Sequence, residues 1–322
     1  MTGFDLFTPI NNEMIIVEER LIHSIDTELP ELNQAATHLV KAGGKRLRPA
    51  FTLLVAKLFA DSVETVIPMA VALELTHMAT LVHDDVIDNS RLRRGQPTVK
   101  NEWGNRISIY SGNYVFAKSL CLVAGYQRSD LLKVLADASM RICEGEIRQM
   151  LSCYNIQQGM KDYLRRIERK TALLISVSCQ LGAMISQASE GQITALKRYG
   201  YYLGMAFQIT DDILDFVADE EILGKPVGSD IRQGVITLPA IYALKYGNQR
   251  EQLGKLLSSP ELCTKEAEAI IALITETDGM DYAYHVSNRF ADKARQQLDL
   301  LPDVPVKKSL YDIASFISGR EY

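Results

Sequence analysis

Proline is absent from residues 98–225; all ten prolines of the 322-residue chain fall outside that span. Proline interrupts helix interiors, so the gap leaves room for long helices through the middle of the chain. Cysteine is sparse too: Cys121, Cys143, Cys153, Cys179 and Cys263 are scattered without C-x-x-C spacing. That excludes a disulfide framework and a zinc site, and predicts reduced, mostly buried thiols in a cytoplasmic protein. No G-x-x-x-x-G-K-[ST] occurs, so there is no P-loop. Alternating runs bounded by hairpin turns are missing, so strands are not expected. Basic charge does not dominate: the net charge is −5 and the pI about 5.7, which argues against a nucleic-acid partner. Residues 1–9 lack the basic and apolar regions of a secretory signal. The longest uncharged stretch, residues 171–189, is interrupted by Ser176, Ser178, Gln180, Ser186 and Gln187. It reads as a buried core helix, so no membrane span is expected.

What is present is helical patterning. Apolar residues recur at three- and four-residue spacing and predict helices over 13–40, 49–60, 64–90, 106–125, 130–154, 160–187, 191–219, 235–246, 262–277, 280–298 and 305–319. The breaks are short, there is no internal repeat, and 47% hydrophobic content supports a sizeable core. The expected fold is all-α: a single-domain helical bundle over residues 1–322, with its site in a central cavity between facing helices.

Two segments carry the chemistry. Asp84-Asp85-Val86-Ile87-Asp88 and Asp211-Asp212-Ile213-Leu214-Asp215 are both D-D-x-x-D, each preceded by apolar sequence. On a helix, residues four apart share a face, pairing Asp84 with Asp88 and Asp211 with Asp215. Like charges at that spacing repel, so these acids call for counter-ions. Oxygen-only ligands suit a hard divalent ion, and Mg²⁺ binds through one or two carboxylates plus substrate phosphates. A calcium-binding EF-hand is excluded by the missing central Gly and terminal Glu.

Cations flank the first motif. Gly43-Gly44-Lys45-Arg46-Leu47-Arg48-Pro49 places three cations where a helix would begin with Pro in its first turn, and Arg93-Arg94-Gly95-Gln96-Pro97 follows the motif after four residues. Arg forks and Lys point charges both recognise phosphate. Cations around metal-binding carboxylates fit a polyphosphate substrate.

These residues resemble the trans-prenyl diphosphate synthases. Asp84 to Pro97 matches the family's first aspartate-rich region, Gly43 to Pro49 its G-G-K-R-[LI]-R-P segment, and Phe207-Gln208-x-x-Asp211-Asp212-x-x-Asp215 its second region. Gly224-Lys225-Pro226 and Lys170-Thr171 also match. The finer similarity, resting on residues 82–88 and 166–175 and the terminal Gly-Arg-Glu-Tyr, is to catalytic subunits of bacterial heptaprenyl diphosphate synthases.

The resemblance implies condensation of isopentenyl diphosphate with an allylic diphosphate, farnesyl diphosphate by preference, to a long polyprenyl diphosphate for a menaquinone side chain. It implies Mg²⁺ on Asp84, Asp88 and Asp211, with Asp85, Asp212 and Asp215 completing the catalytic acids. The two acidic faces are expected to oppose each other across the cavity. Arg93, Lys170, Thr171 and Lys225 would meet the allylic diphosphate, and Lys45, Arg48, His77 and Arg94 would hold isopentenyl diphosphate. Gln208, one turn before Asp212, would offer its side-chain oxygen to the allylic cation. Ala79 and Thr80 are small where short-chain relatives carry aromatics, so a long product is expected. Val235 departs from the Lys that many short-chain members carry. A small helical partner subunit is implied, otherwise a homodimer. The competing classes are a short-chain farnesyl or geranylgeranyl synthase and a non-catalytic regulatory subunit.

Overall fold

The computed structural model describes residues 5–217 and 227–318. Helices account for nearly all of it: α1 Asn11–Ser24, α2 Pro30–Lys41, α3 Leu47–Ala56, α4 Ile67–Ile87, α5 Val99–Ala124, α6 Ser129–Ser152, α7 Met160–Ile167, α8 Leu173–Ile185 and α9 Glu190–Val217. After these come α10 Ser229–Arg232, α11 Leu238–Tyr246, α12 Arg250–Leu257, α13 Pro260–Lys265, α14 Ala267–Thr275, α15 Gly279–Gln297 and α16 Pro305–Ser318. The all-α expectation holds, with one correction. Leu92–Arg93 and Gln96–Pro97 form a small antiparallel hairpin, β1–β2, with Leu92 opposite Pro97 and Arg93 opposite Gln96. Two-residue strands are too short to show alternation. Their turn residues, Arg94 at φ 53 and Gly95 at φ 75, are both left-handed, as the tightest hairpin turns require.

Other boundaries moved for local reasons. The helix expected over 13–40 is two helices, because Leu29 precedes Pro30 and is extended (φ −84, ψ 109), as a residue before proline prefers. The helix expected to start at 106 starts at Val99, capped by the Thr98 side chain, and carries non-helical Gly104 inside it. The 262–277 span breaks at Glu266, where φ is −110 and ψ 24. Cysteine burial also needs correcting: Cys179 and Cys263 are buried, but Cys121 and Cys143 are exposed and Cys153 is half-buried.

The chain divides into two compact units, Met1–Asp137 with Val177–Lys197 and Leu300–Leu310, and Ala138–Ser176 with Arg198–Asp299 and Tyr311–Tyr322. In the first, α4 is the core. Its sequence, IPMAVALELTHMATLVHDDVI, is apolar on nearly every side, and such a helix is stable only when surrounded. It is long and apolar enough to cross a membrane by length and composition, yet it is mostly buried within the protein. Helices α1, α2, α3 and α5 pack around or beside it. The face α5 turns inward is small: Ser108, Ser111, Gly112, Val115 and Ser119. That lets the axes approach until a Cβ on Gly112 would collide with the His83 imidazole, and Thr76 Oγ1 donates to Ser119 Oγ at 3.1 Å. The second unit gathers Tyr163, Ile167, Met205, Ile209, Ile213, Phe216, Ile231 and Ile236 into a core of its own.

Candidate active site

In the first unit the basic segment wraps a buried acid. Arg46, left-handed at φ 44 ahead of α3, donates from Nε to Glu18 Oε1 at 2.6 Å and from Nη1 to Glu74 Oε1 at 3.2 Å. A further bond from Nη2 to the Val40 carbonyl at 2.8 Å leaves this arginine bound up in the fold. Arg48, two residues on, is half-buried, and its Nε is buried with no acceptor among the described residues. Burial pulls its guanidinium down to about 10, against the attraction of Glu74. Arg94 rests directly over Gly44, where any Cβ would clash with the guanidinium. Burial also lowers its pKa, and Arg46 and Arg93 add to the effect. His77 is held well below the usual imidazole range by burial first and then by Arg48, Arg94, Arg93 and Arg46. A neutral imidazole and two underpaired guanidiniums beside one buried carboxylate leave a local surplus of positive charge.

The end of α4 lies next to this cluster. Asp84 is half-buried, and Asp88 is the exposed C-cap whose N–H bonds the Asp84 carbonyl at 2.8 Å. Asp85 is buried and gripped by Arg93, Nε to Oδ1 at 2.9 Å and Nη2 to Oδ1 at 2.7 Å. The hairpin exists to make that contact: it returns Arg93 onto the helix it has just left. Ala79 is 2% exposed, while Thr80 is half-buried and bonds the His77 carbonyl at 2.7 Å. His83 packs on Gly112. Lys45 is exposed.

In the second unit, Asp212 is buried, accepting from Gln208 Nε2 and from Tyr163 OH, each at 2.8 Å. Burial, with Asp230 nearby, pushes its carboxyl up to about 7, against these two hydrogen bonds and Arg166. The Gln208 oxygen, expected to face the allylic cation, accepts from Thr171 Oγ1, while its Nε2 holds Asp212. Asp215 does not share an open face with Asp211. It is 1% exposed, and its Oδ2 accepts the Asp230 N–H at 3.0 Å. Asp211 is half-buried.

Lys170 and Thr171 lie in a π-helical turn, Glu168–Ala172, an insertion that re-aims side chains and recurs at functional sites. Gly204 of α9 sits against it: a Cβ there would fall 2.5 Å from Ala172 Cα. This close approach brings Thr171 within reach of Gln208, one turn further along α9. Lys170 is exposed and donates to Gln149 Oε1 at 3.4 Å. Lys225, with Gly224 and Pro226, lies outside the described residues.

Sequence reasoning missed Glu74, Tyr163 and Arg166. Glu74 carried a usable signal, as the lone acid in the apolar half of α4. Tyr163 and Arg166 carried none, because their partners Asp212 and the Ile236 carbonyl are distant in sequence. The donor set itself fits a hard divalent ion. Asp84 and Asp88 in the first unit, and Asp211 in the second, each keep accessible carboxylate oxygens; among the described residues no three acids, histidines or cysteines converge, which leaves coordination positions for phosphate and water.

Fold and acidic motifs together define an all-α enzyme of prenyl transfer. The chain belongs to the polyprenyl synthetase family, whose model matches residues 29–274. It is 45% identical over 317 residues to heptaprenyl diphosphate synthase component 2 of Geobacillus stearothermophilus, covering 98% of both chains. Heptaprenyl diphosphate synthase from Staphylococcus aureus superposes with a TM-score of 0.91 at 39% identity, over 97% of this chain and 98% of that one. A polyprenyl synthase from Caulobacter crescentus, complexed with calcium and isoprenyl diphosphate, superposes at 0.92 with 32% identity, over 98% of this chain and 97% of that one.

Proposed function

We propose that this chain is the catalytic component of a Mg²⁺-dependent heptaprenyl diphosphate synthase, adding isopentenyl diphosphate to an allylic diphosphate such as farnesyl diphosphate. The observation that carries the reading is the division of labour within each acidic motif. Asp85 and Asp212 are tied to protein donors, whereas Asp84, Asp88 and Asp211 keep accessible surface.

Mg²⁺ on Asp84, Asp88 and Asp211 would neutralise charge on the departing diphosphate. Arg93, Lys170, Thr171 and Lys225 hold that diphosphate. Lys45, Arg48, Arg94 and neutral His77 grip the diphosphate of isopentenyl diphosphate; the orphaned Arg48 Nε gains its acceptor there. The allylic C–O bond breaks, the isopentenyl double bond attacks the resulting cation, and the proton lost afterwards passes to the released diphosphate. In this reading the two units act as one catalytic domain in the cytoplasm, with a small helical partner subunit, on a product destined for a menaquinone side chain. The component-2 name of the Geobacillus relative supports the partner.

The test is incubation of the chain, with and without such a partner, with Mg²⁺, farnesyl diphosphate and labelled isopentenyl diphosphate. Seven-unit product that needs both proteins is expected. Products of only three or four units would identify a short-chain synthase, and no product in any combination would identify a regulatory subunit.

A further inference from the structure

Within the second unit, a cavity of about 330 Å³ lies between α6 and α7. Arg148 and Gln149 line it from α6, and Arg165, Arg166 and Arg169 from α7 and the π turn. Four guanidiniums around one small cavity are poorly compensated. Arg169 pairs with Glu144 at 3.1 Å, but that carboxylate is 59% exposed. Arg166 is committed to Gln158 Oε1 at 2.9 Å and the Ile236 carbonyl at 2.6 Å. Asp162, the only acid in the lining, accepts the Gly159 N–H at 3.2 Å. Among the described residues, Arg148 and Arg165 have no ion-pair partner. Arg165 and Arg169 are also four apart, a spacing at which like charges repel.

The crowding is built in. Gly145 lets the Arg169 stem cross α6 closely, since a Cβ there would fall 2.6 Å from Arg169 Cβ. The wall residue Gln149 accepts from Lys170 Nζ, so the cavity shares a wall with the lysine assigned above to the allylic diphosphate. The volume is at the lower end for small-molecule pockets, and clustered Arg forks match phosphate oxygens in pairs.

We propose that this cavity is a second diphosphate-binding site, in which Arg148, Arg165 and Arg169 hold a diphosphate group without a metal ion. Its placement beside Lys170 makes it a holding site for diphosphate entering or leaving the reaction. That role rests on the synthase reading, whereas the binding does not. Two sources share the chemistry: inorganic diphosphate and the head group of a prenyl diphosphate.

Isothermal titration in EDTA tests it, with inorganic diphosphate, isopentenyl diphosphate and farnesyl diphosphate as separate titrants. The proteins are wild type, Arg148→Gln/Arg165→Gln, and Arg94→Ala, which weakens the other basic cluster. One binding event should survive Arg94→Ala and weaken at least about tenfold in Arg148→Gln/Arg165→Gln. If inorganic diphosphate alone shows that dependence, the by-product is the ligand; if the prenyl diphosphates share it, the head group is. Arg165→Gln alone, an exposed single change, should weaken the same event if the double variant proves unstable. Unchanged affinity and stoichiometry in the folded variants, or equal binding of monophosphate, overturns the site. Turnover without added diphosphate should persist in the double variant; its loss in every protein, with the binding difference intact, would count against the synthase reading alone.

Discussion

Arg93 and Asp85 show how much one side chain can be asked to do. Asp85 is buried, so losing its partner leaves a carboxylate without compensation, at a cost of about 2 kcal/mol. Arg93→Ala is therefore expected to lower the urea midpoint as well as turnover. Adding Asp85→Asn to Arg93→Ala should return more than about 1 kcal/mol, the mark of coupled residues. Strict additivity of the two changes would show that the pair contributes nothing. His77 offers a pH-dependent counterpart. The fold keeps its imidazole neutral to lower pH than an unfolded chain does, so below about pH 6.5 the unfolded state binds the extra proton first. Stability contributed in this way is complete above that pH and is lost on acidification. His77→Gln should flatten the fall in urea midpoint between about pH 7 and pH 5.5; parallel profiles would refute it.

Among the elements, the packing of α9 on the π turn is the most exacting contact at the site. Gly204→Ala must push α9 away from Ala172, which costs about 1–3 kcal/mol. By parting Thr171 from Gln208 it should also slow turnover by roughly tenfold or more. Gly191, near the start of the same helix with open space around it, is the control: Gly191→Ala should leave turnover intact. Product length is tested on α4. Ala79 is 2% exposed, so a Phe there would overpack the helix, and half-buried Thr80 is the better probe. Thr80→Tyr should yield mainly products of three or four units while the first condensation continues; unchanged seven-unit product would remove this face from length control. Most of the helices, including the two that carry the D-D-x-x-D segments, were legible from spacing, but Arg250–Leu257 was not among those expected. The π turn was not, because one extra residue inside a helix leaves no mark on composition. Nor was the hairpin, whose two-residue strands are shorter than any period.

For the whole molecule, each acidic motif belongs to a different unit, and the proposed reaction needs both. Asp84→Ala and Asp211→Ala should each reduce turnover by several orders of magnitude, at about 1.4 kcal/mol of lost transition-state stabilisation per factor of ten. EDTA should abolish activity, and added Mg²⁺ should restore it in wild type alone. A double variant keeping more than about a tenth of wild-type turnover would remove metal clamping from the mechanism. Reading the site from sequence picks out charge that stands against apolar neighbours, as at Asp84 and Asp211. It failed where a polar residue serves another polar residue far along the chain, as with Tyr163 on Asp212 and Arg46 on Glu74.

The π turn at Glu168–Ala172 has a further bearing on how such a chain tolerates change in length. Each residue of a helix turns the chain by about 100°. Removing one residue from this turn would let the helix close regularly with α8 kept near its phase, because the wider turn takes in its extra residue without carrying the helix further round. The loss would be local: the hydroxyl of Thr171 would turn away from its glutamine. The surplus residue thus aims the side chains of its own turn, and a one-residue deletion there should leave α8 packed while the site is impaired.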